Sequence, residues 1–402
     1  MIKVVLDGAL FSECELSGNN RHGMLRVAEE ITKLLVEKGE IDISFANTVY
    51  LPKYHKALGR YVEKNFPELS DKILSQQPLP VFNLLKYKAY FRKYPKLMFV
   101  PVRNKGIGAA DLFHSFYYPF SKKIEQSAIK KCLTFLDIIS LRMKGYPEEM
   151  QQLTHKIVKH IQQNYAISIS EFSKNDLLNY SADIQPERVF VSPLSASKEL
   201  FYQNNNQEDW NSVKQKYQLP DRYFLCISSG DLRKNIPHLV NSFSRFILQQ
   251  KPNDIFLVLA GNSTHSIKLL DELNIDKAVR EKIVFANKFI DEDDLAVVYS
   301  NAIAFFFMSY YEGFGLPVLE AMQCGTPVVA ANCTSIPEVV GDAGLLLQHD
   351  DVDALCNTMH ELNINEGLRH SLSVKGLAKA ATFSWERTAR EYTEIFKTIS
   401  NL

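Results

Sequence analysis

The chain is 402 residues long, with 46 Lys/Arg set against 46 Asp/Glu, 46% hydrophobic and 23% charged residues. At roughly 150 residues per domain that is room for two or three domains. The mix is that of an ordinary globular protein and excludes extended disorder, collagen, coiled-coil rods and disulfide-stapled miniproteins.

No apolar run, the longest spanning about 302–308, approaches the ~20 residues of a membrane-spanning helix. The run before Asp7 is short for a secretory signal. Six cysteines (14, 132, 226, 324, 333, 356) form no CxxC pair, which reads as reduced thiols of a cytoplasmic protein and not as a zinc site. The balanced charge hides an asymmetry. Residues 1–200 hold 28 Lys/Arg and 21 Asp/Glu (28 − 21 = +7), and residues 201–402 hold 18 and 25 (18 − 25 = −7). The positive excess peaks in 83–105, NLLKYKAYFRKYPKLMFVPVRNK, which has seven Lys/Arg, no acid and several aromatics. That pattern suits an anionic membrane surface, and nucleic acid as well. A solvated helix face followed by a loop gives it as readily.

In chain order, IKVVLD (2–7) reads as a first buried parallel strand. HGMLRVAEEITKLLVEKG follows with helical apolar spacing and stops at Gly39, a C-cap residue. Strands are expected at 42–46, 111–116, 131–139, 165–170 and 188–193, with helices between most of them. The polar stretch 204–212 reads as a domain boundary. Beyond it strands are expected at 223–228, 255–261, 282–286, 302–308, 327–331 and 344–348. They alternate with the helices IPHLVNSFSRFILQQ, DEDDLAVVYSN, GLPVLEAMQ and VDALCNTMHELN. Alternation of this kind predicts an α/β protein of two Rossmann-like domains with parallel sheets, and ligands at the carboxyl ends of the strands. The last segment, 383–400, places Trp385, Ala389, Tyr392 and Phe396 at helical spacing.

The most informative segment is FFFMSYYEGFGLPVLEAMQCGTPVVAANCTSIPEVVGDAG (305–344). A strand runs into the turn Glu312-Gly313-Phe314-Gly315, and Leu316-Pro317 opens a helix. Proline at that position sacrifices no hydrogen bond. Glycines let backbone N–H groups approach a ligand, and the helix start adds partial positive charge. The result is a phosphate cradle flanked by Glu312 and Glu320, two carboxylates at E-x7-E spacing able to grip sugar or ribose hydroxyls. Asp291–Asp294 has the look of a DxD metal motif, but acids there read better as the first turn of a helix. Tyr310 and Tyr311 either line a sugar pocket or pack.

SYYEGFGLPVLEAMQCGTPVV resembles the donor-site signature of retaining GT-B glycosyltransferases of family 4, the glycosyl transferases group 1 type. Two further segments resemble the same family in order and spacing: Ser229-Gly230-Asp231-Leu232-Arg233-Lys234-Asn235, and Phe289-Ile290-Asp291-Glu292-Asp293-Asp294-Leu295 with Tyr299. The match covers most of 223–348. The first half is looser, with Gly23-Met24-Leu25-Arg26 and SISEFSKNDL (168–177).

The resemblance implies a GT-B architecture: an acceptor-binding domain (1–205) facing a nucleotide-sugar domain (206–382) across a cleft, with a helix (383–402) crossing back to the first. It implies that Lys234 holds the donor diphosphate, beside Arg233 and Ser229. Glu312 then binds the donor sugar, the backbone of Gly313, Phe314, Gly315 and Leu316 supplies amides, and Glu320 holds the ribose. Gly23 sits in the first loop near the donor, and His114 near the reacting sugar carbon. It implies transfer with retained configuration, without a metal or other cofactor, from a nucleotide-diphosphate sugar to a glycan or lipid-linked acceptor. GDP-mannose is the first choice of donor and surface polysaccharide the product. The enzyme is expected in the cytoplasm, peripheral on the membrane through 83–105, with no nucleic acid as partner. A sugar-nucleotide epimerase, or a non-catalytic sugar-nucleotide-binding partner, are the rivals on the same fold. The sequence departs from the family at Ser228 and Ser229, where a Gly and an Arg are usual, and at Leu136-Asp137, where His-Asp is usual.

Overall fold

In the computed structural model, residues 1–18, 23–47, 52–74, 76–77, 103–104, 106–228, 231–261, 271–273, 275–286 and 290–402 are described. They divide into two compact units, Met1–Pro193 with Trp385–Leu402, and Leu194–Ser384.

The first unit holds β1 (Ile2–Asp7), β2 (Ile41–Ala46), a two-residue antiparallel pair β3 (Gln76–Gln77) and β4 (Arg103–Asn104), then β5 (Leu112–Ser115), β6 (Lys130–Phe135), β7 (Tyr165–Ser168) and β8 (Val189–Val191). Its six-stranded sheet runs β2-β1-β5-β6-β7-β8, and every pairing in it is parallel. The second unit holds β9 (Tyr223–Ser228), β10 (Phe256–Gly261), β11 (Ile283–Phe285), β12 (Ala304–Phe307), β13 (Val328–Ala331) and β14 (Leu345–Leu347). Its order is β11-β10-β9-β12-β13-β14, again parallel throughout. The strands are short apolar runs because helices bury both faces of a parallel sheet. AFFF of β12 and VVAA of β13 are buried at every residue.

Two local features depart from the sequence reading. Ala9–Leu16 is a helix directly after β1. At its entry a Cβ on Gly8 would lie 2.5 Å from Leu58 Cδ2 in the helix Pro52–Asn65 and would force that side chain to shift. The strand expected over 131–139 ends at Phe135. Asp137 Oδ1 accepts the Ile139 N–H at 2.9 Å and starts the short helix Ile139–Arg142.

The chain divides at Pro193/Leu194, earlier than the expected 205/206. Residues 194–204 are already built into the second unit. Phe201 packs on Tyr299 with ring centroids 6.1 Å apart, Gln323 Nε2 donates to Phe201 O at 2.6 Å, and Asn204 N–H donates to Ser300 Oγ at 3.0 Å. At the other end, the helix Trp385–Asn401 belongs to the first unit. It buries Trp385, Ala389, Tyr392, Phe396 and Ile399 against that unit's sheet and the helix Gly23–Lys38. Thr388 Oγ1 donates to Pro193 O at 2.7 Å, and Lys130 Nζ to Ser400 O at 3.0 Å. No helix among the described residues is long and apolar enough to cross a membrane.

Candidate active site

In the second unit the strand order reverses its direction of growth between β9 and β12, which pair in parallel with Ala304 opposite Phe224. Loops leaving two such strands diverge to opposite faces and open a crevice at their carboxyl ends. Both signature segments leave from there.

After β9, Asp231 caps a single 3-10 turn, Leu232–Lys234, accepting the Arg233 N–H on Oδ1 at 3.0 Å. Its Oδ2 takes Arg233 Nε at 2.8 Å, so one carboxylate fixes both the backbone and the guanidinium. Asn235, at φ 53°, turns the chain into the helix Ile236–Gln250 and anchors it by donating from Nδ2 to His349 O at 2.7 Å. After β12, the Glu312 N–H donates to Thr334 Oγ1 at 3.2 Å, and the Ser335 hydroxyl lies 2.9 Å from both the Glu312 and Phe314 carbonyls. The two loops are tied together where the Tyr310 N–H donates to Arg233 O at 2.8 Å.

Their side chains form one ionic cluster. Lys234 Nζ donates to Glu312 Oε1 at 2.8 Å, and the Arg233 guanidinium pairs with Glu312 Oε2. Lys234 and Glu312 are each only 8% exposed, and the ammonium lies 4.1 Å from the Phe307 ring centroid. Burial pulls the Lys234 ammonium below the ordinary lysine value, with Glu312 opposing the shift. Burial alone would raise the Glu312 carboxyl. Lys234 and Arg233 outweigh it, with help from Ser309, and hold it below the usual carboxylate range. Glu312 is therefore ionised at neutral pH, with both cations as counterions.

Beyond Glu312 the turn leads into the helix Leu316–Gln323. Gly315 sits at φ 109°, a left-handed conformation suited to glycine, and a Cβ there would lie 2.7 Å from Ile336 Cδ1. While Ser335 occupies the turn's carbonyls, the N–H groups of Phe314, Gly315 and Leu316 make no hydrogen bond among the described residues. They remain available at the positive end of the helix. Glu320 lies one turn inside, 8% exposed, with Oε2 accepting from Tyr299 OH at 3.2 Å. Tyr310 is 41% exposed beside the cluster with its ring against His349, and Tyr311 is buried.

The structure thus brings together Arg233, Lys234, Glu312 and the turn from Gly313 to Leu316. The motif pointed to these residues, and four others that hold them were missed. Asp231 sits inside a quoted motif and was passed over because its partner lies two residues away. Thr334, Ser335 and Phe307 come from sequence that reads as loop or plain core.

Other site expectations fare differently. Ser229, Gly230, Phe289 and most of 83–105 lie outside the described residues. Asp291 and Asp294 share Lys216 Nζ, at 2.8 and 2.5 Å, at the start of the helix Glu292–Ser300. Gly23 is exposed at the start of its helix, and a Cβ there would meet nothing within 4 Å, so no packing asks for glycine.

The resemblance places His114 near the reacting sugar carbon. The residue is fully buried in β5 of the first unit, with Phe116, Tyr392 and Phe396 around its ring. Nε2 lies 3.1 Å from Thr134 Oγ1, which in turn meets Tyr392 OH at 2.9 Å. Burial pushes the imidazole down to about 3, so it is a neutral core group. An apolar strand with one histidine looks the same from sequence whether its ring faces a ligand or the core.

The first unit carries a cavity of about 390 Å³ at the ends of β5 and β6. Its walls are mostly apolar, with Met24, Leu136, Ile139, Leu153 and Ile157 among them, and Tyr117, Asp137, Ser140 and Thr154 supply the polar edge. Leu136-Asp137, the departure noted above, forms part of this wall.

Several known proteins resemble this chain. The sequence profile of the family described as glycosyl transferases group 1 matches residues 208–378. O-antigen chain mannosyltransferase B of Escherichia coli is 34% identical over 235 residues, 58% of this chain and 60% of that protein. A serotype-specific mannosyltransferase of Escherichia coli is 28% identical over 291 residues, 70% of this chain and 35% of that protein. The chain therefore spans less than two thirds of the length of these relatives. Among solved structures, sucrose-phosphate synthase from Thermosynechococcus elongatus superposes with a TM-score of 0.68 at 19% identity, covering 99% of each chain.

Proposed function

We propose, on the premise that the chain carries a glycosyl transferases group 1 domain on a GT-B fold, that it transfers a hexose from a nucleotide-diphosphate sugar to a growing surface glycan or its lipid-linked precursor. The observation that carries the reading is the pairing of Arg233 and Lys234 with Glu312 beside the open amides of Phe314, Gly315 and Leu316. Few ligands other than a sugar diphosphate ask for two cations, a helix start and a hydroxyl-accepting carboxylate at one strand-end crevice.

In this reading the diphosphate lies over the turn and faces Lys234 and Arg233. Glu312 accepts from hydroxyls of the donor sugar, and Glu320 holds the ribose. The bond from the anomeric carbon to the phosphate oxygen breaks as the acceptor oxygen approaches on the same face. The acceptor's proton passes to the departing phosphate, so no protein base is needed and configuration is retained. The protein supplies positioning and stabilises charge growing on the diphosphate. No metal is needed for this. The sugar is mannose from GDP-mannose, a choice supported by the mannosyltransferase relatives. The acceptor binds the first unit, whose strand-end cavity is the natural place for it. The enzyme works in the cytoplasm, held to the membrane by 83–105.

A thermal-shift panel of nucleotide sugars followed by product analysis tests the reading. A true donor stabilises the protein by mass action and yields an α-linked product from an α-linked donor. Interconversion of free nucleotide sugars would instead identify an epimerase. Binding with neither transfer nor hydrolysis would identify a sugar-nucleotide-binding partner.

A further inference from the structure

Building on that reading, we infer that Glu312 is a resident counterion of the empty site, exchanged for the donor's diphosphate, so that the carboxylate becomes available to sugar hydroxyls only when phosphate has taken over its cations.

The geometry demands an exchange. Both carboxylate oxygens of Glu312 are occupied, one by Lys234 and the other by Arg233. A buried ammonium such as Lys234 cannot be left without an anion at acceptable cost, and the Phe307 ring on which it sits supplies none. Among the described residues Arg233 and Lys234 are matched by Glu312 and Asp231, so a diphosphate must compete with carboxylates already in place. Something must leave. Asp231 grips Arg233 through both its backbone N–H and Nε, which keeps the guanidinium in place when its second partner goes. The backbone of Glu312 is pinned through Thr334 and Ser335, so a side-chain rotation suffices.

A consequence separates substrate from product. An intact nucleotide sugar displaces the carboxylate and gives it hydroxyls in return. A nucleoside diphosphate displaces it and gives it nothing, so Glu312 competes for the cations and weakens product binding. Free product is penalised, which favours its release after transfer.

The test titrates GDP, UDP and the donor found by the panel into wild type, Glu312→Gln and Lys234→Ala. Removing the competing carboxylate should tighten nucleoside diphosphate binding by about 10-fold and enlarge its thermal shift, since the buried Lys234 ammonium then lacks its anion while Arg233 keeps only Asp231. The preference for nucleotide sugar over nucleoside diphosphate should collapse in the same variant. Glu312→Asp keeps the charge but withdraws it by one methylene. It should fall between wild type and the glutamine variant, and it supplies the readout if the latter does not fold. Unchanged or weaker nucleoside diphosphate binding in the Glu312 variants would overturn the exchange. If Lys234→Ala leaves nucleoside diphosphate binding intact, or neither wild type nor Glu312→Gln binds a nucleoside diphosphate or nucleotide sugar, the diphosphate reading itself fails, a separate result.

Discussion

The two units share a parallel topology but place opposite chemistry at their strand ends. At the ends of β9 and β12 the second unit gathers two cations, a buried carboxylate and a turn of open amides. At the ends of β5 and β6 the first unit gathers an apolar cavity with a single carboxylate on its edge. The sheets supply similar scaffolds, and the loops decide what each can hold. The ionic end suits a charged diphosphate, whereas the apolar end, with no Lys or Arg in its wall, suits an uncharged acceptor group.

Four perturbations break or sharpen this contrast. Lys234→Ala should act at the ionic end only, lowering transfer by about 100-fold or more through lost electrostatic stabilisation. Near-normal turnover would remove the basis for the contrast.

His114 tests whether the first unit's histidine is core or site. Its folded-state value of about 3 lies below the ordinary histidine value. The unfolded chain therefore takes up the proton first as pH falls, and stability is full above about pH 6.5 and lost toward pH 3. At pH 5 the loss is about 2 kcal/mol. His114→Leu should flatten the fall in urea midpoint between pH 7 and 5. An unchanged slope would show that the ring is not the neutral core group described.

Leu153→Trp places a larger side chain in the cavity wall. It should raise the acceptor KM by about 10-fold while leaving the donor KM alone, the inverse of a lesion at the ionic end. A matched rise in both would erase the division of labour. The smallest effect concerns 83–105. Vesicles containing anionic lipid should retain the protein at low salt and release it as salt rises, and absence of retention at low salt would remove the membrane contact.

Much of this contrast was legible in sequence, but unevenly. The second unit's strands and helices were readable because buried parallel strands are unbroken apolar runs, and the turn was readable because Gly315 and Pro317 have local conformational reasons to be there. Partners brought from elsewhere in the chain were not. Thr334 and Ser335 reach Glu312 only through the packing of the loop after β13, and nothing local marks them. The domain boundary was misplaced because polar composition at 204–212 looks like a linker, whereas Phe201 and Asn204 are already bonded into the second unit. The burial of His114 has no local signal, because it depends on the helix Trp385–Asn401, more than two hundred residues away in sequence.

The central claim is that the turn after β12 presents its amides to a diphosphate. Residue-resolved hydrogen exchange, with and without saturating GDP or UDP, addresses it directly. The account predicts slowed exchange at the Phe314, Gly315 and Leu316 amides when the nucleotide binds. Nucleotide binding that leaves those three amides exchanging at their unliganded rates would contradict it.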